Sequence, residues 1–261
     1  MRKMKIVQVK AKIISNKKLS GHYWHLEFVS GEIAKSALPG QFVDLRVING
    51  FEPLLRRPIS IHGVSGDKVK IIYEVLGKGT QILSTKKGGQ ALDVIGPLGN
   101  GFAYKPTLKS GGAKNILIAG GIGVAPLVFL AEKIKTVKPL ILIGARTKGQ
   151  ILCTQEFKAL GCKVELATDD GSAGLKGRVT DLLKNVLEQV KPSRLFSCGP
   201  HPMLKTVSQI ALENKIKAQL SLEEHMACGI GACLGCVVLT KSGYQRVCKD
   251  GPVFSNEELI W

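Results

Sequence analysis

Apolar and polar residues alternate along positions 23–29 (Tyr23-Trp-His-Leu-Glu-Phe-Val29), 41–47 and 69–75, and glycine-rich turns separate these runs. Alternation sends every second side chain to one face, so each run reads as a strand with one buried side. Short strands in succession predict a β-barrel or sandwich over residues 1–108. Trp24 and Phe28 fall in step on one face and read as core-filling. Ser110-Gly-Gly-Ala113 is the expected hinge, and beyond it the pattern changes. Apolar runs at 116–119, 140–144, 164–168 and 194–198 alternate with helical spacing at 127–135, 179–190 and 203–214, the second of these opened by Thr180-Asp181. That alternation predicts a doubly wound parallel sheet over 109–220, its edge near Gln219. Residues 221–261 form a third, small unit: a cysteine loop, then a hairpin of 237–240 and 244–248 around Ser242-Gly243. The fold class is multi-domain, β followed by α/β.

The cysteines sharpen this picture. Cys228, Cys233, Cys236 and Cys248 are spaced x4, x2 and x11, the pattern of plant-type [2Fe-2S] ligation. Gly229, Gly231 and Gly235 let the backbone approach inorganic sulfide and aim N–H groups at sulfur. Zinc is the competing reading, but structural zinc sites usually pair two short cysteine knuckles or add histidines, whereas here three thiols crowd one loop. The odd total of seven cysteines argues against a disulfide framework. Cys153 and Cys162 read as bystander thiols, and His22, His25, His62, His201 and His225 show no ligand spacing.

Two glycine-rich turns offer nucleotide sites. Gly120-Gly121-Ile-Gly123-Val-Ala-Pro126 follows a predicted strand and opens a helix, which suits a pyrophosphate; an ordinary structural turn explains it equally, since Pro126 stands where a third glycine or alanine is usual. Cys198-Gly199-Pro200 ends a later strand beside the same crevice, so Cys198 either faces a nicotinamide or is a small buried thiol. Asp169 and Asp170 either bind a ribose hydroxyl, favouring NAD over NADP, or make a solvated turn. In the first half, Arg56-Arg57-Pro58-Ile59-Ser60 lies on a strand edge and Gly77-Lys-Gly79-Thr80 opens a short helix. Together they suggest a phosphate-bearing cofactor, and separately each has a turn or helix-start explanation.

Bulk properties remove other classes. The chain has 261 residues, is 44% hydrophobic and carries a formal charge of +17, enough for two domains and a diffuse attraction for anions. Its lysines occur singly or in pairs without an RNA-type aromatic motif, which argues against nucleic-acid binding. The longest apolar run, 116–131, contains three glycines and a proline and is too short for a bilayer span. The basic start lacks the apolar block of a secretory signal, so a cytoplasmic location is expected.

Taken in order, Arg57-Pro-Ile-Ser60, Tyr73, Gly79-Thr80, Gly120 to Pro126, Cys198-Gly-Pro200, the cysteine loop and Cys248-Lys-Asp-Gly-Pro252 resemble the ferredoxin reductase superfamily. More narrowly the chain resembles the electron-transfer subunits of class 1B dihydroorotate dehydrogenase over essentially its whole length. That resemblance implies FAD, NAD and one [2Fe-2S] cluster. It implies that Arg57, Pro58, Ile59 and Ser60 hold the flavin and its diphosphate, with Ile72, Tyr73 and Glu74 alongside, Gly79 and Thr80 on its phosphates and the four cysteines on iron. It further implies an FMN-containing catalytic subunit as partner, in a heterotetramer with two copies of each chain serving pyrimidine synthesis. The superfamily's usual R-x-Y-S motif has an aromatic where Ile59 stands, which leaves open what covers the flavin ring, Tyr73 being one neighbour. The alternative is an NAD(P)H-linked subunit of a ferredoxin, sulfur-reducing or hydrogenase complex.

Overall fold

The computed structural model describes residues 6–104 and 115–261; the expected hinge at 110–113 lies outside them. Six strands, β1 (Val7–Ser20), β2 (Tyr23–Val29), β3 (Phe42–Arg46), β4 (Arg57–Ser65), β5 (Lys68–Glu74) and β6 (Ala91–Leu98), close an antiparallel barrel in the order β1-β2-β5-β4-β3-β6. Alternation sends Leu26, Phe28, Leu45, Ile61, Ile71 and Val94 into its core, and all six are essentially inaccessible to solvent. Trp24 points the same way and is partly buried against them. Helix α1 (Gly31–Ser36) follows β2, its start capped by the Ser30 hydroxyl accepting from the Ile33 N–H. Helix α2 (Lys78–Thr85) follows β5.

The second unit runs β7 (Asn115–Gly120), α3 (Val124–Lys133), β8 (Leu140–Ala145), α4 (Thr154–Ala159), β9 (Lys163–Thr168), β10 (Leu175–Lys176), α5 (Val179–Gln189), β11 (Arg194–Cys198), α6 (His201–Glu213) and β12 (Ala218–Ser221). Its strands pair in parallel, with order β10-β9-β8-β7-β11-β12. One face packs Leu117, Ala119, Ile141 and Ile143 against α3 and Phe157 of α4. The other packs Ile116, Ile118, Leu140 and Leu142 against α5 and α6. The doubly wound arrangement follows from apolar residues on both faces of each strand. The order reverses between β7 and β11, which opens a crevice at their carboxyl ends. The barrel docks on the α3 side: Phe129 of α3 joins the barrel core, while Tyr23 and Ile72 join the α3 cluster.

The last part contains the hairpin β13 (Val237–Thr240) and β14 (Gly243–Arg246) and a short strand, β15 (Val253–Ser255). Strand β15 pairs antiparallel with β12 as a seventh strand, so the sheet continues one strand beyond the expected edge near Gln219. No helix among the described residues is long and apolar enough to cross a membrane.

Candidate electron-transfer centre

The cysteine loop is shaped by its glycines. Gly229 and Gly231 take φ of +66° and +84°, where a side chain costs about 1 kcal/mol or more. A Cβ on Gly229 would sit 2.5 Å from the Asp44 carboxylate, and one on Gly231 2.5 Å from the Lys249 side chain. The N–H groups of Ala232 and Cys233 lie 3.3 and 3.4 Å from the Cys228 sulfur, and the N–H of Cys248 lies 3.4 Å from that of Cys236. The hairpin returns the fourth thiol, with Val237 opposite Arg246 and the Val247 N–H bonded to the Cys236 carbonyl. Arg246 ties loop to hairpin by donating to Asp250 at 2.8 Å and to the Gly231 carbonyl at 3.1 Å.

Burial opposes ionisation of Cys228, but the N–H groups of Cys233, Ile230 and Ala232 outweigh it and pull its thiol down to about 6. Burial and the neighbouring Cys236 push Cys248 up to about 12. Amide donors aimed at sulfur, glycine clearance and crowded thiols that need positive charge to ionise together suit a metal–sulfur cluster. Cys236 and Cys248 are buried and Cys233 is exposed, with Ile230, Leu234 and Tyr244 exposed as well.

The loop abuts the barrel strand pair that carries the flavin candidates. Asp44 on β3 stands opposite Pro58 on β4, and its carboxylate closes on Gly229. Burial pushes the Asp44 carboxyl up to about 6 against the pull of Arg56, and among the described residues its Oδ1 has no hydrogen-bond partner. Asn100 adds a second tie, donating through its side chain to the Asp250 carbonyl at 2.9 Å.

On β4 the parity of the strand divides the candidates. Ile59 and Ile61 point into the barrel core, while Pro58 and Ser60 fall on the outward face. Arg57 reaches the start of α2, where any side chain on Gly79 would collide with its guanidinium. The N–H groups of Lys78, Gly79 and Thr80 have no partner within the helix, and the Thr80 hydroxyl accepts from the Gly77 N–H. Arg57 is steadied by donating to the Leu55 and Arg56 carbonyls, and a guanidinium beside the first amides of a helix suits an anion. On β5, Ile72 faces the nucleotide domain, but Tyr73 is buried in the barrel and donates to Asn16 Oδ1 at 2.9 Å. Its ring belongs to the barrel core. Glu74 is half-buried and lies opposite Tyr23.

At the crevice, the β7 and β11 turns press together. Cβ atoms on Gly123 and Gly199 would strike the opposing backbone, and one on Gly120 would lie 2.6 Å from the Met203 sulfur. Close loop packing accounts for these glycines, and Gly121 at φ +53° has open space beside it. Burial pushes the Cys198 thiol up to about 12, so it stays neutral. Asp170 accepts from the N–H and hydroxyl of Ser172 at 2.9 and 2.6 Å, a local turn. Asp44 and Arg246 carry no role in the sequence analysis, and Asp250 enters there only within a motif; the Arg246-x3-Asp250 spacing and an acid inside an apolar strand were the available signals.

A barrel docked on a doubly wound nucleotide domain, with a four-cysteine loop against the barrel edge, defines a ferredoxin reductase-like electron-transfer protein. Residues 117–209 match the family model "Oxidoreductase NAD-binding domain", and residues 223–260 match "Iron-sulfur cluster binding domain of dihydroorotate dehydrogenase B". A relative from Desulforamulus reducens, the electron transfer subunit of dihydroorotate dehydrogenase B (NAD(+)), is 42% identical over 96% of this chain and 97% of its own. Its counterpart from Caldanaerobacter subterraneus subsp. tengcongensis is 37% identical over 97% and 99%. A solved NADH-dependent reduced ferredoxin–NADP oxidoreductase superposes with a TM-score of 0.86 at 30% identity, over 97% of this chain and 90% of that one. The chain belongs to the family of electron transfer subunits of NAD-dependent dihydroorotate dehydrogenase B.

Proposed function

We propose that this chain carries electrons from dihydroorotate, oxidised at an FMN in a separate catalytic subunit, by way of a [2Fe-2S] cluster and FAD to NAD. FAD supplies exchange of electron pairs with nicotinamide and of single electrons with iron. Cys228, Cys233, Cys236 and Cys248 hold the cluster. Arg57 and the amides of Gly79 and Thr80 hold the flavin diphosphate; Pro58, Ser60, Ile72 and Glu74 flank the flavin with side chains, and Ile59 and Tyr73 with backbone. Gly120, Gly121, Gly123, Cys198 and Gly199 line the NAD crevice, where a neutral Cys198 offers a small polarizable contact. The functional units are 1–108, 109–220 and 221–261, the last lending β15 to the sheet. Two copies of each subunit form the complex, in the cytoplasm, where cysteines stay reduced; none of the seven here forms a disulfide.

One observation carries this reading: Asp44 lies opposite Pro58 and against Gly229, so the strand proposed to hold the flavin and the cysteine loop meet across a single residue. The test is anaerobic mixing with a class 1B catalytic subunit, dihydroorotate and NAD. NADH should form, and Cys233→Ser should stop it while NADH still reduces the flavin. Formation of NADH at the unaltered rate by that variant overturns the relay. Failure to form any complex would favour the ferredoxin-serving alternative, to which the 30% identical neighbour is akin.

A further inference from the structure

The contact between barrel and nucleotide domain contains a group of side chains that the electron path does not use. His62 of β4, Cys153 in the turn before α4 and Glu156 of α4 bring a ring nitrogen, a sulfur and a carboxylate oxygen within 4.8 Å of one another. His62 is 3% exposed. Its Nδ1 lies 3.0 Å from the Ala125 carbonyl oxygen and its Nε2 lies 2.7 Å from Glu156 Oε2. A carbonyl only accepts, so Nδ1 carries the proton, and Nε2 of a neutral ring turns its lone pair toward a carboxylate. Two lone pairs do not face each other at that distance without a cation between them, either a second proton or a metal ion.

Further features bear on which cation it is. An imidazole that donates from one nitrogen to a backbone carbonyl and offers the other is the arrangement metal-bound histidines use. Cys153 holds its position at φ +60°, a left-handed conformation that residues with a side chain seldom adopt. The Cys153 thiol donates to the Glu156 carboxylate, which sets its sulfur beside the Glu156–His62 contact, where a metal ion takes the place of both protons. A thiolate and a carboxylate together cancel a dication, which makes its burial tolerable. Glu156 is the solvent-facing member, with 48% of its side chain exposed; this leaves an entry path and a position for a water ligand.

We propose that His62 Nε2, Cys153 Sγ and Glu156 bind a divalent transition-metal ion, zinc by their mixed nitrogen, sulfur and oxygen donors, and so pin the flavin barrel to the nucleotide domain. Zinc displaces the thiol proton of Cys153 and the proton between His62 and Glu156. Glu156 retreats by roughly half an ångström to a full one to reach tetrahedral spacing. The site is independent of the cluster loop and of the proposed relay.

The full-length chain with its iron–sulfur cluster intact is equilibrated with zinc sulfate and desalted. It is then read by elemental analysis and by zinc-edge X-ray absorption, which sees neither iron nor flavin. The expected result is about one zinc per chain at unchanged iron content, with one sulfur at about 2.3 Å and nitrogen or oxygen at about 2.0–2.2 Å. Cys153→Ser should remove the sulfur shell, and Glu156→Gln, at a half-exposed position, should weaken zinc retention about tenfold or more. No zinc retained above the Cys153→Ser level, or a shell with two or more sulfurs, overturns the proposal, the latter because it puts the ion in the 228–248 loop.

Discussion

Single residues show where sequence logic holds and where it stops. The Gly77-to-Thr80 segment was legible as a helix start, but what occupies the space that Gly79 leaves was not. Only the fold brings Arg57, from a distant strand, over that spot. Gly79→Ala is therefore expected to displace the guanidinium and lower the flavin-to-protein ratio several-fold while iron content stays constant; an unchanged ratio would dissociate Arg57 from flavin retention. Tyr73 illustrates the opposite limit. Its place in an alternating strand was legible, whereas its hydrogen bond to Asn16 depends on how the barrel closes. Burial pushes its phenol up to about 12 from 10. The folded chain thus keeps a proton that the unfolded chain releases, and stability falls as pH rises from 10 toward 12. Urea unfolding at about pH 9 and about pH 11 should show that loss, and Tyr73→Phe should shrink it.

At the scale of elements, strands with strict alternation or continuous apolar runs were read to within a residue or two, because burial on one or both faces writes itself into the sequence. Helix α4 and strand β15 were not. Both are short, and β15 exists because β12 offers it an open edge, a tertiary cause that Val253-Phe-Ser255 does not display. The cluster loop combines both situations. Cysteine spacing announced it, but its rigidity comes from Arg246, which spans Asp250 and the Gly231 carbonyl. Because both carboxylate oxygens of Asp250 meet the guanidinium, the pair is better ordered than a single surface contact, although solvent still screens it. Arg246→Ala should leave flavin content intact and speed chelator-driven iron loss several-fold, followed as decay of cluster absorbance. Equal rates would mean that the hairpin alone holds the loop.

For the molecule as a whole, the three-part layout was legible because each part has its own periodicity, whereas the way the parts meet was not: no local pattern tells Asp44 that Gly229 will lie against it. The proposed docking face for a partner is the cysteine loop. Cys233 is exposed, and Ile230 and Leu234 on its loop and Tyr244 on the hairpin expose apolar surface as well. Leu234 does so at φ +58°, an uncommon conformation for a branched apolar residue that a free surface gives no reason to keep. Exposed apolar residues on the loop of the proposed cluster fit a subunit that docks there and excludes water. Asparagine tolerates the left-handed conformation and removes the apolar contact, so Leu234→Asn preserves the backbone while testing the surface. The expected outcome is an increase of about tenfold or more in the dissociation constant for the catalytic subunit, with cluster absorbance and NADH-driven flavin reduction unchanged. Tight binding by the double variant Ile230→Asn, Leu234→Asn would move the docking face elsewhere on the chain.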